Sequence, residues 1–194
     1  MEGAAPGARL RRPVALVGLM GCGKSTVGAR LAALLSAPFR DADAEIEAAA
    51  GMTIPEIFRT LGEPAFRDGE KRVIARLLAG PPLVLATGGG AYMAEETRKA
   101  ISAAGAAIWL RAGLETLVER TAKRKSRPLL NAGNPREILK GLMAARYPVY
   151  AGAEIAVESP QGGKAEDVAA AALAAMRAHD REAPEAARLL EEAP

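Results

Sequence analysis

Gly18-Leu-Met-Gly-Cys-Gly23-Lys24-Ser25-Thr26 fits the pattern G-x-x-x-x-G-K-[ST], whose chemistry is phosphate binding. Glycines let successive backbone N–H groups turn inward around phosphate oxygens, and a helix opening at Lys24 adds partial positive charge there. Lys24 is placed to reach the β- and γ-phosphates and Ser25 to hold Mg²⁺ through its hydroxyl. Gly21, Cys22, Gly23 and Thr26 complete the cradle. Cys22 needs only its backbone N–H for this, although a thiol beside a helix N-terminus is also a candidate for oxidation that blocks nucleotide entry. The segment reads as a nucleoside triphosphate site.

A second set of residues could serve an acceptor. Asp41-Ala-Asp43 follows a short extended run, and strand carboxyl ends in an open α/β sheet face the ligand crevice. Asp41 suits a magnesium ion and its waters; Asp43 suits a substrate hydroxyl, as hydrogen-bond acceptor and base. A plain N-cap is the competing account of this pair. Gly88-Gly89-Gly90 ends a buried strand at the same edge, where three glycines allow a small molecule to lie against backbone N–H groups, or simply make a turn. Arg67, beside Phe66, carries no signal alone. Arg146-Tyr-Pro-Val-Tyr150 sets an arginine beside tyrosine, suited to bidentate pairing with a carboxylate. Five cations fall between Arg120 and Pro128. Such a run is usually a solvated face and RNA is a conceivable partner. In a phosphoryl-transfer enzyme, however, an arginine on a closing lid stabilises developing negative charge, and Arg127 is the best placed.

These residues need a scaffold. Apolar runs at 13–17, 39–41, 83–87, 106–110 and 155–157 read as five strands, the last one weak. Helical spacing follows Lys24 (Val27, Leu31, Leu34, Leu35), and further helices are expected from Asp43 to Ala50, from about Pro55, and from Glu63 to Leu78. Strands alternating with helices imply a parallel sheet covered on both faces. The expected organisation is one domain over 13–179, with an acceptor-binding region near 41–80 and a lid near 121–134. Residues 1–12 and the Glu/Ala/Pro-rich stretch 180–194 are expected to be flexible extensions.

Composition narrows the class. The chain has 194 residues, 26 Lys+Arg against 23 Asp+Glu, and 44 alanines that favour helix. A net charge of +3 and only seven aromatic residues speak against nucleic acid as a partner. No apolar stretch approaches the roughly 20 residues that span a bilayer, so no membrane is expected. The N-terminal stretch lacks an apolar segment of signal-peptide length. The single cysteine and single histidine build neither a disulfide nor a zinc site, and the expected location is the cytoplasm.

Taken together, the phosphate loop, Asp41-x-Asp43, Phe66-Arg67, Gly88-Gly89-Gly90, Arg127-Pro128-Leu-Leu and Arg146-x-Pro-x-Tyr150 resemble shikimate kinase in identity, order and spacing over about residues 12–178. The resemblance implies a P-loop NTPase of α/β class, nucleoside-monophosphate-kinase-like, with a five-stranded parallel sheet of order 2-3-1-4-5, flanking helices and a mobile lid. It implies transfer of the ATP γ-phosphate to the 3-hydroxyl of shikimate, with one Mg²⁺ per subunit, by a monomer in aromatic amino-acid biosynthesis. By position, it assigns Asp43 to the shikimate hydroxyls and Arg67 with Arg146 to the carboxylate. Gly88, Gly89 and Gly90 fall to the substrate turn, Arg127 to the ATP phosphates, Arg120 to the adenine and Gln161 to a further nucleotide contact. Ser25 and Asp41 organise magnesium, since no Walker B aspartate ends the third strand. A kinase of another small polyol acid such as gluconate, and a non-catalytic nucleotide-responsive module, are the rival readings. The first should lack the joint acceptor set, and the second should have lost Lys24, Asp43 or Arg127.

Overall fold

Every residue of Val14–Val17 is fully buried, the pattern of a strand covered on both faces in a parallel sheet. The structure, a computed structural model, describes residues 7–122 and 133–192. Strand β1 is Ala8–Leu10, β2 Val14–Val17, β3 Phe39–Asp41, β4 Val84–Ala86, β5 Ala106–Arg111, β6 Ile155–Glu158 and β7 Leu190–Glu192. The helices are α1 Lys24–Leu34, α2 Ala42–Ala50, α3 Ile54–Thr60, α4 Gly62–Leu78, α5 Glu95–Ala104, α6 Leu114–Ala122, α7 Pro135–Tyr150 and α8 Ala165–Glu182.

The main sheet has the order β3-β4-β2-β5-β6 with all pairings parallel. Counting its own strands along the chain, that is 2-3-1-4-5, as the resemblance implies. The five strands fall where the apolar runs lie, within a residue or two. Leu16, Leu85, Ile108 and Leu110 at its centre are all fully buried; truncating such a residue to alanine costs about 2–5 kcal/mol. A smaller cluster of Ile46, Ile57, Phe66 and Val73 ties α2, α3 and α4 together beside the sheet. This satellite carries Asp43 on α2 and Arg67 on α4.

Local chemistry sets the helix starts. Asp41 caps α2, its carboxylate accepting from the Asp43 N–H at 3.1 Å. Thr53 and Glu56 close a capping box on α3. Asn134 caps α7 and Pro135 follows at its first turn. The expected lid begins inside a helix, since Thr121 and Ala122 close α6. The rest of it, with Arg127, lies outside the described residues apart from Gly133 and Asn134, which lead into α7.

The expectation of two flexible extensions does not hold for residues 7–12 and 180–192. α8 runs through position 179 to Glu182, and β1 pairs antiparallel with β7, Ala8 opposite Glu192 and Leu10 opposite Leu190. Apolar burial anchors the pair, because Ala8, Leu189 and Leu190 join the main core. The Asp180 carboxylate accepts from the backbone N–H groups of Leu189 and Leu190, each at 2.8 Å. Arg177 holds Glu192 through two nitrogens, at 2.9 and 3.1 Å. Arg12 donates to the carbonyls of Ala103 and Ala104 at the end of α5, at 2.6 and 3.0 Å. The Glu/Ala/Pro composition of the tail hides two leucines that bury into the main core.

Candidate active site

The chain leaves β2 and turns through Gly18, Gly21 and Gly23, with φ of 138°, 86° and 101°, values that glycine alone adopts readily. Gly23 is the N-cap of α1 and has no side chain to spend on capping; no acidic residue lies in the first turn. The first N–H groups of α1 are therefore left for an external anion. Lys24 curls back over the loop, its Nζ donating to the carbonyls of Gly18 at 2.7 Å and Leu19 at 3.1 Å. Cys22 is fully buried, which denies its thiol the exposure a redox-sensing cysteine needs. Thr26 is exposed on the first turn of α1.

At the mouth of this loop the Ser25 hydroxyl donates to Asp41 Oδ2 at 2.6 Å. The capping and ligating accounts of Asp41 are thus compatible: Oδ1 caps α2 while Oδ2 meets Ser25. Two hard oxygen groups in contact beside a phosphate loop fit Mg²⁺, which keeps most of its waters and takes one or two protein oxygens.

Arg120, from α6, lies behind the loop. Its guanidinium donates to Ser159 Oγ and the Pro160 carbonyl, both at 2.8 Å. A side chain at Gly23 would come within 3.9 Å of it. Gln161 is exposed, its amide donating to Glu119 at 3.1 Å.

The acceptor half is assembled from four elements. Asp43, in the first turn of α2, brings Oδ1 to 3.0 Å from the point where a Gly88 Cβ would stand, and Glu70 Oε1 of α4 comes to 2.7 Å from the same point. The two carboxylates flank one glycine, with no room for a side chain between them. Arg67 lies one helical turn before Glu70, its Nη1 donating to Glu70 Oε2 at 2.7 Å. Its Nε and Nη2 reach Glu63 Oε1, each at 3.2 Å. The same guanidinium packs flat on Gly90, with both Nη atoms 2.9 Å from where a Cβ would be. Arg146, from α7, donates to the Gly89 carbonyl at 2.8 Å, and the buried Tyr150 hydroxyl donates to that same oxygen. A Gly89 Cβ would lie 3.6 Å from the Met20 backbone nitrogen, so the glycine triplet touches the phosphate loop and joins the two halves.

Arg67, Arg146, Glu70, Lys71, Gly90 and Met93 line a cavity of about 430 Å³ together with Glu63 and Ala94. Burial pushes the Glu70 carboxyl above its ordinary range, with Asp43 adding to the effect and Arg67 and Arg146 opposing it. Burial works against charge on Arg67, but Glu70 and Glu63 more than offset it and hold its pKa above the ordinary value. Burial likewise raises the Tyr150 hydroxyl to about 12, so it stays a donor to Gly89 at neutral pH.

The structure thus links the phosphate loop to Arg146 through Gly89, sets Arg67 on Gly90 and Asp43 beside Gly88, and joins Ser25 to Asp41; Arg120 reaches the Cys22 carbonyl of the loop, and Gln161 is exposed beside Glu119. Arg127 lies outside the described residues. Sequence reasoning missed Glu70 and Ser159, and it quoted Tyr150 in the Arg146 motif without giving it a role. Glu70 had one usable signal, its three-residue spacing from Arg67 on a helix.

A parallel sheet with a phosphate loop at the carboxyl end of its central strand, a serine–aspartate pair on that loop, and a cavity lined by two arginines beside it define a P-loop small-molecule kinase. The sequence model of shikimate kinase matches residues 20–177. The shikimate kinase of Paramagnetospirillum magneticum is 60% identical over 151 residues, covering 78% of this chain and 77% of the relative. That of Caulobacter vibrioides is 56% identical over 148 residues, covering 76% and 74%. Among solved structures, shikimate kinase from Acinetobacter baumannii in complex with shikimate superposes with a TM-score of 0.82 at 40% identity, over 86% of this chain and 93% of that one. The chain belongs to the shikimate kinase family, and it is an ATP-dependent kinase with an alcohol acceptor. A gluconokinase from Sinorhizobium meliloti shares the fold alone, with a TM-score of 0.54 at 20% identity over 90% of this chain and 97% of that one.

Proposed function

We propose that the chain transfers the γ-phosphoryl group of ATP to the 3-hydroxyl of shikimate, giving 3-phosphoshikimate and ADP for chorismate and aromatic amino-acid synthesis. The observation that supports this reading is Asp43 beside Gly88, in a glycine turn that meets the phosphate loop at Gly89 and lines the cavity of Arg67 and Arg146 at Gly90.

Arg67 and Arg146 bind the shikimate carboxylate. Both are oriented beforehand, by Glu63 and Glu70 and by the Gly89 carbonyl, so little side-chain freedom remains to be lost on binding. Glu70 sits beneath, steering Arg67 and keeping the Asp43 side of the pocket crowded with negative charge. The substrate hydroxyl donates to Asp43, which stands beside Gly88 in the turn whose next residue, Gly89, approaches Met20 of the phosphate loop. As the hydroxyl oxygen bonds to the γ-phosphorus, the bond to the β–γ bridging oxygen breaks. The hydroxyl proton passes to the Asp43 carboxylate and ADP departs.

On the donor side, Gly21, Cys22, Gly23 and Thr26 supply the phosphate cradle, and Lys24 moves from the Gly18 and Leu19 carbonyls onto the β- and γ-phosphates. Ser25 and Asp41 would hold Mg²⁺. That ion would supply positive charge beside the phosphates, where negative charge develops in the transfer. Arg120 and Gln161 meet the nucleotide base, and Arg127 brings a cation from the lid. The reading also takes the protein to be a cytoplasmic monomer; no helix among the described residues is long and apolar enough to cross a membrane.

The test is an ADP-release assay with shikimate, with gluconate and without acceptor. Release that requires shikimate supports the reading. Equal release without acceptor, or preference for gluconate, overturns it.

A further inference from the structure

We propose that Ser159 is a positioning residue for the nucleotide, fixing the Arg120 guanidinium against the back of the phosphate loop. The proposal rests on the reading of Arg120 as the adenine contact and adds a residue to it.

Ser159 follows the last residue of β6, a strand whose residues alternate between buried and exposed. It falls on the buried side and is 1% exposed. Its position is fixed by the main chain, since its N–H donates to the Arg111 carbonyl at 2.7 Å and so carries the β5–β6 ladder one residue beyond the strand. The hydroxyl then does two things at once. It donates its single proton to the Cys22 carbonyl at 2.9 Å and accepts from Arg120 Nη1 at 2.8 Å. Arg120 Nη1 also approaches the Cys22 carbonyl, at 3.5 Å.

A hydroxyl is the smallest side chain that can both give and accept a hydrogen bond. Here it connects a carbonyl of the loop that holds phosphates to the side chain that would hold the base. Arg120 has many rotamers, and only acceptors at fixed positions keep its plane in one orientation. Ser159 and Pro160 supply two on neighbouring residues. Alanine at 159 would leave Arg120 with the Pro160 carbonyl and the longer Cys22 contact, and would leave the Cys22 carbonyl with that contact alone. The consequence is a weaker hold on the base with the phosphate cradle intact.

Calorimetric titration with ADP and, separately, with inorganic tripolyphosphate separates the two. For Ser159→Ala, ADP affinity is expected to fall roughly five- to tenfold and tripolyphosphate affinity by less than about twofold. The KM for ATP rises with the ADP constant while that for shikimate does not follow. Arg120→Ala gives the same pattern, and the double variant binds ADP no worse than Arg120→Ala alone, because the hydroxyl acts through the guanidinium. If Arg120→Ala weakens ADP and Ser159→Ala does not, Ser159 has no such role while Arg120 keeps its own. If Arg120→Ala leaves ADP binding unchanged, the adenine reading fails and the proposal with it. Equal loss of ADP and tripolyphosphate in Ser159→Ala would show that the hydroxyl only shapes the loop, which also overturns the proposal. Should Ser159→Ala fail to fold, Ser159→Cys, close in size and a poor hydrogen-bonding partner, carries the same test.

Discussion

The nucleotide half of the cleft is built mainly from the backbone of one stretch, Gly18 to Ser25, whereas the acceptor half is built from charged side chains delivered by α2, α4 and α7. In the first, three glycines with positive φ and the uncapped start of α1 present N–H groups without spending side chains. In the second, each cation is held by another group before any substrate arrives: Arg67 by Glu63 and Glu70, Arg146 by the Gly89 carbonyl. A backbone cradle recognises phosphate as a class, while the geometry of paired side chains selects one acceptor. Changes on the acceptor side should therefore act on shikimate and on transfer, and leave the nucleotide alone.

The largest separation is expected for Asp43→Asn. Transfer should fall by about 10²–10⁴-fold with ADP affinity nearly intact, read by turnover and calorimetry on the same preparation. Retained turnover would remove Asp43 from its role as base. Arg146→Ala comes next. A carboxylate deprived of a charged partner loses about 2–5 kcal/mol, seen as a raised KM for shikimate at constant KM for ATP. Gly90→Ala is a subtler probe, because its methyl would stand 2.9 Å from both Nη atoms of an Arg67 already pinned by two glutamates. Displacing that guanidinium should raise the KM for shikimate by about tenfold, and an unchanged KM would show that the flat packing on Gly90 is dispensable.

The smallest effect concerns stability. Burial raises the Glu70 carboxyl above its ordinary value of 4.5, so the folded chain holds that proton more tightly than the unfolded chain. Its contribution to stability is then greatest below the ordinary value and is lost as pH rises through the raised one. Glu70→Gln cannot ionise, so the stability of the wild type relative to this variant should decline as pH rises above the ordinary value of 4.5. A pH-independent difference in thermal midpoint would contradict the burial argument.

The same contrast explains what could be read from the sequence. The phosphate loop was legible because its chemistry is contiguous, and the strands because five apolar runs mark them; their order came only from the resemblance. The acceptor set was legible only as a joint resemblance, since Arg67 alone looks like any helix arginine. Glu70 was not singled out, because helical spacing from Arg67 fits Glu63 as well as Glu70; the packing of α4 beside Gly88 buries one and exposes the other. Ser159 reads as an ordinary residue after a strand until the fold brings it against Cys22 and Arg120. The terminal strands were missed because charge and proline dominate the tail, while Leu189 and Leu190 decide its place.

Whether the cleft really divides in this way is tested most directly by measuring ADP and shikimate affinities, by calorimetry, for Lys24→Ala and Arg146→Ala side by side. The account predicts a crossed pattern. Lys24→Ala loses at least about tenfold in ADP affinity and keeps shikimate, and Arg146→Ala loses at least about tenfold in shikimate affinity and keeps ADP. Comparable loss of both ligands in either variant would contradict it.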